Sequence, residues 1–106
     1  MLDVLLYEHE RGHSPFADWF DALDHQAAAK VTIAIERLRL GNLSNVKSVG
    51  AGVQECRIHW GPGYRLYLGR DGDKLVILLT GGTKQRQDAD IGRAKEYWAD
   101  YKRRRV

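Results

Sequence analysis

At 106 residues, with 43% hydrophobic and 29% charged, the chain is long enough to bury one core and too short for two, so a single domain over 1–106 is expected. The formal net charge of +3 is a mild excess that neither demands nor excludes a polyanionic partner. One cysteine excludes an intrachain disulfide, and the four histidines show no zinc spacing, so no metal and no cofactor are expected.

No apolar run reaches the roughly 18 residues of a membrane helix, and the N-terminus lacks a signal-peptide pattern. A cytoplasmic protein without membrane association is expected. Leu2 to Tyr7 is short and apolar, a first strand. Ser14-Pro15 reads as an N-cap followed by proline at the first helical position. Phe16, Trp19, Phe20 and Leu23 then recur at helical spacing. A second stripe follows in Ala27, Val31, Ala34, Ile35 and Leu38, stopped at Gly41. The two stripes predict a helical hairpin on one face of a sheet. Asn42 to Gly52 has no periodicity and reads as a loop.

The informative stretch is Val53 to Gln87. Val53 to Trp60 alternates, with Cys56, Ile58 and Trp60 against Glu55, Arg57 and His59. Gly61-Pro62-Gly63 reads as a hairpin loop. Tyr64 to Arg70 alternates again, with Tyr64, Leu66 and Leu68 against Arg65 and Tyr67. Setting Trp60 opposite Tyr64 places His59 opposite Arg65 and Arg57 opposite Tyr67. Asp71-Gly72 is a second hairpin signal, returning into the apolar strand Lys74 to Thr80. Gly81 to Gln87 reads as a basic loop emerging near His59 and Arg65. Asp88 caps a last helix bearing Ile91, Ala94, Trp98 and Tyr101 on one face. The whole is an α+β fold, a small antiparallel-dominated sheet in the order β-α-α-β-β-β-α.

One sheet face thus collects Arg57, His59, Arg65 and Tyr67, which suits a phosphate-rich ligand. An arginine fork holds phosphate through two hydrogen bonds, and a histidine transfers protons near neutral pH. The plain alternative for Arg57 is an ion pair with Glu55, Asp71 or Asp73. Lys84, Arg86 and Gln87 follow two glycines and precede a helix, where backbone approach and the helix dipole favour anions. The closing Lys102-Arg103-Arg104-Arg105 run is either a solvated tail or a contact for nucleic acid or an acidic partner. Trp19 and Trp98 fit core stripes.

Val53-Gln54-Glu55-Cys56-Arg57-Ile58, Gly63-Tyr64-Arg65-Leu66-Tyr67 and Gly81-Gly82-Thr83-Lys84, taken in that order, resemble the RelE/ParE toxin superfamily, and within it the HigB-like addiction module killer group. The similarity extends to Phe16-Ala17-Asp18-Trp19-Phe20 and to Asp90-Ile91-Gly92-Arg93-Ala94. It implies the toxin of a type II toxin–antitoxin system, an endoribonuclease that cuts mRNA, on or off the ribosome. A helix-turn-helix antitoxin would inhibit it, and the complex would reach operator DNA through that antitoxin. Carried over by position, the resemblance implies that Arg57, His59, Arg65 and Lys84 are catalytic. His59 would be the base, the arginines would stabilise charge, and Lys84 would act at the leaving oxygen. Lys47, Tyr67, Arg86, Gln87, Arg103 and Arg104 would bind substrate. The late aromatic of RelE-type enzymes is missing, since that region reads Gln87-Asp88-Ala89-Asp90-Ile91. A ParE-like inhibitor of DNA gyrase, and an inactive homologue that only binds antitoxin, remain alternatives.

Overall fold

The computed structural model describes residues 1–105. It is an α+β fold with a mixed five-stranded sheet and three α-helices. The elements are β1 (Asp3–Leu6), α1 (Pro15–Asp21), α2 (His25–Arg39), β2 (Val46–Gly50), β3 (Val53–Ile58), β4 (Tyr64–Asp71), β5 (Leu75–Thr83), a 3₁₀ turn (Lys84–Arg86) and α3 (Gln87–Arg104). The spatial order is β1-β5-β4-β3-β2, with β1 parallel to β5 and every other pair antiparallel. No helix among the described residues is long and apolar enough to cross a membrane.

Local chemistry sets the helix starts. Ser14 Oγ accepts from the Ala17 amide at 3.1 Å and Asp24 Oδ1 from the Ala27 amide at 2.8 Å, each satisfying an orphan donor of a first turn. Helices α1 and α2 cover one sheet face over Phe16, Val31, Leu38, Cys56, Ile58, Leu66, Leu68, Val76 and Leu78. Helix α3 covers the other over Tyr7, Val53, Tyr67, Ile77, Leu79, Ala94 and Trp98.

Three expectations are corrected. The stretch read as a loop contains β2, an edge strand paired with β3. Its two-residue turn carries Ala51 at φ 55° and Gly52 at φ 82°. A hairpin turn with positive φ at both central residues normally announces itself with Asn or Gly, and alanine hid it. Gly81 and Gly82 lie inside β5, not in a loop. A Cβ on Gly81 would stand 2.4 Å from the Trp19 ring and one on Gly82 1.8 Å from Asp90 Oδ2, so the glycines let α1 and α3 close on the strand. The β3–β4 register also differs. Ile58 pairs with Tyr64 and Arg57 with Arg65, which leaves His59 to Gly63 as a five-residue connection. Within it Gly63 N–H donates to the Trp60 carbonyl at 3.1 Å, folding the Trp60 ring onto Tyr64 at 6.1 Å.

Candidate functional site

The alternation in β3 and β4 does put Glu55, Arg57, Arg65 and Tyr67 on one face, because a slip of two residues preserves facing. The face differs from the expected open surface in that the start of α3 roofs it. Two cross-strand rows build it: Lys47–Glu55–Tyr67–Thr80, then Arg57–Arg65–Gly82. At its centre lies Glu55, fully buried. Its Oε1 accepts from Arg57 Nε at 3.3 Å, and its Oε2 accepts from Gln87 Nε2 at 2.8 Å and stands 3.6 Å from Arg65 Nε. A buried carboxylate is tolerated only when paired in this way.

The two arginines differ in access. The Arg65 side chain is 7% exposed and that of Arg57 38%. Arg65 Nη1 donates to the Gly63 carbonyl at 2.9 Å, and the same carbonyl accepts from the Lys84 amide at 2.9 Å. One backbone oxygen thereby fastens the guanidinium and the 3₁₀ turn together. Two guanidiniums against one carboxylate leave the cluster with one net positive charge. Exposed Lys47, Lys84 and Arg86 lie around it, and none of them pairs with a carboxylate among the described residues. The arrangement can draw a phosphodiester to Arg57 while Arg65 supplies fixed charge from beneath.

The remaining expected residues fall elsewhere. His59 is exposed on the connection after β3, not opposite Arg65. It lines a cleft of about 250 Å³ with Trp60 and residues of α2. Tyr67 is fully buried under α3, where a ligand on the surface does not reach it. Burial, and then the charge of Glu55, push its hydroxyl well above the ordinary phenol range. Arg103 and Arg104 both pair with Asp100, and Arg104 also donates to the Glu8 carbonyl. The 18-residue α3 is roughly 27 Å long at ~1.5 Å per residue, so these arginines sit at the far end from Gln87. Glu55 is the centre that sequence reasoning passed over. Its signal was a single carboxylate in an alternating strand, two residues from Arg57 and on the same face as Arg57 and Arg65.

Comparison with known proteins gives two matches. The model of a family described as "Phage derived protein Gp49-like (DUF891)" matches residues 18–97. A protein of Haemophilus influenzae, described as uncharacterized, is 47% identical over 81 residues, which span 76% of this chain and 82% of its own.

Proposed function

The chain belongs to the phage-derived Gp49-like family, a toxin-like family related to RelE and HigB, and on that premise we propose that it is the toxin of a toxin–antitoxin pair and cleaves mRNA. The observation that carries this reading is the buried Glu55 held by Arg57, Arg65 and Gln87 at the floor of a basic face. RNA carries its own nucleophile, so the protein's task is to position, to stabilise charge and to move protons.

In this reading a phosphodiester competes with Glu55 for the half-exposed Arg57 fork, a bidentate exchange. The 2′-hydroxyl attacks the adjacent phosphorus and the bond to the 5′-oxygen breaks, leaving a 2′,3′-cyclic phosphate. The 2′-hydroxyl proton passes to water, while Glu55, fully buried, does not reach the substrate and acts by orienting Arg57 and Arg65. Arg65 holds the charge that develops on the phosphoryl oxygens. Lys84, tied to the same Gly63 carbonyl as Arg65, stabilises or protonates the departing oxygen. His59 lies outside this face and is assigned no proton transfer.

Induced expression without the neighbouring antitoxin gene should arrest growth, with co-expression restoring it. Arg57→Ala should relieve the arrest at equal soluble expression. Normal growth with the unaltered chain at verified soluble expression would remove the toxin reading.

A further inference from the structure

We propose that the cleft between α2 and the β3–β4 connection is a nucleotide subsite, holding one base and its phosphate of the RNA cleaved at the Arg57–Arg65 face, and so rests on the ribonuclease reading above. The cleft measures about 250 Å³, a volume suited to one planar ring system and little more. Its aromatic wall is Trp60, half-buried and backed by Tyr64, the two rings stacked at 6.1 Å and 21°. Tyr64 braces the indole, and the exposed Lys30 side chain over its ring is the group a base would displace to stack there.

The polar groups around the platform select the rest of the ligand. Lys30 and Arg37 approach from α2, seven residues apart and therefore on one helix face. The Lys30 ammonium stands 6.0 Å from the Trp60 ring centroid. Neither cation pairs with a carboxylate among the described residues, and no Asp or Glu lines the cleft. An aromatic platform, two free cations and no acid fit a base joined to a phosphate.

Asn42, Ser44 and Asn45 also line the cleft. Asn42 Oδ1 is occupied by the Ser44 amide and hydroxyl, which leaves its amide N–H groups to read a base edge. Arg57 links this cleft to the cluster on the other face. Its guanidinium reaches Glu55, while residue 57 also lines the cleft. A strand passing over the sheet rim at Arg57 would set one nucleotide in the cleft and its neighbour at the cluster.

The test needs binding rather than cleavage. The unaltered chain is titrated with each nucleoside 5′-monophosphate, and with ribose 5-phosphate as the baseless probe. Tryptophan fluorescence and the Trp60 indole N–H resonance report binding. Nucleotides should shift the Trp60 resonance and bind roughly tenfold or more tighter than ribose 5-phosphate, the scale of one stacked base. The double variant Lys30→Ala/Arg37→Ala, altered only at exposed side chains, should lose at least that much affinity with its fold intact. Trp60→Ala should abolish the advantage of the base, and Trp60→Phe should restore part of it if the alanine variant unfolds. Equal affinity for the baseless probe, shifts confined to the Arg57–Arg65 face, or a Trp60 resonance that moves only when a partner protein is added would each overturn the subsite. Failure of the ribonuclease reading looks different: nucleotides would still shift Trp60 while no RNA is cut.

Discussion

Replacing Arg65 by alanine should cost far more stability than its position in an alternating strand suggests. The side chain is 7% exposed, holds the Gly63 carbonyl at 2.9 Å and faces Glu55 at 3.6 Å. Breaking a buried pair by removing one partner typically costs ~3–5 kcal/mol. Here Glu55 keeps Arg57 and Gln87, so about 2–3 kcal/mol is the reasonable loss, against ~0.5 kcal/mol for an ordinary surface change. Domains of this size have about 5–15 kcal/mol in all, and the variant should remain folded while melting roughly 10–20 °C lower. Arg57→Ala, at a side chain 38% exposed, should cost no more than about 1 kcal/mol. The pair Glu55→Gln/Arg65→Met, which removes both charges, should recover part of the Arg65→Ala loss. Thermal melts followed by circular dichroism, with urea titrations to obtain free energies, read all four proteins. An Arg65→Ala melt within two or three degrees of the parent, on the scale of ~4–8 °C per kcal/mol, would contradict the buried cluster.

Other outcomes follow from the same geometry. Gly82→Ala places a Cβ 1.8 Å from Asp90 Oδ2 and should destabilise by about 3 kcal/mol, the upper range for overpacking. Gly92→Ala, with open space around it, should stabilise α3 by roughly 0.5–1 kcal/mol; urea titration of the two variants checks both signs. Burial, with the Tyr7–Asp100 hydrogen bond, raises the Tyr7 hydroxyl from near 10 to about 12. Folded protein then holds a proton that unfolded chain releases, so stability should fall as pH rises between those values, and Tyr7→Phe should flatten that limb of a pH-dependent melt. Asp100 is held below the ordinary carboxylate range, first by the same hydrogen bond, so its contribution should be full above that range and be lost progressively as pH falls from it to the lower folded-state value. Arg103→Gln/Arg104→Gln should change RNA affinity and its salt slope little, since both side chains serve Asp100 at the far end of α3.

Much of this architecture is legible in the residues. The cap at Ser14, the stripes of α1 to α3 and the facing of β3 and β4 follow from side-chain period and capping chemistry alone, whereas Asp88, expected as the cap of α3, lies inside its first turn. Register does not, because period fixes which way Arg57 and Arg65 point and is silent on whether His59 or Arg57 stands opposite Arg65. The turn at Trp60 to Gly63 decided that. Coverage is equally hidden: nothing local to β4 says that Gln87 and Asp90 will close over it. The glycines at 81 and 82 read as flexibility and instead admit Trp19 and Asp90. The roof over β4 and the two glycines share one cause, long-range packing overriding local pattern, which also explains why Glu55 passed for a surface partner of Arg57.

Purified protein added to a cell-free translation reaction, followed by mapping of the message ends, tests the central claim most directly. The account predicts new breaks in the mRNA ending in 2′,3′-cyclic phosphate, unchanged by a chelator. They should fall by about 10²-fold or more with Arg57→Ala, and likewise with Glu55→Gln if that variant stays folded by circular dichroism. Intact message in the presence of folded, growth-arresting protein would contradict it, all the more so if DNA supercoiling by gyrase stalled instead.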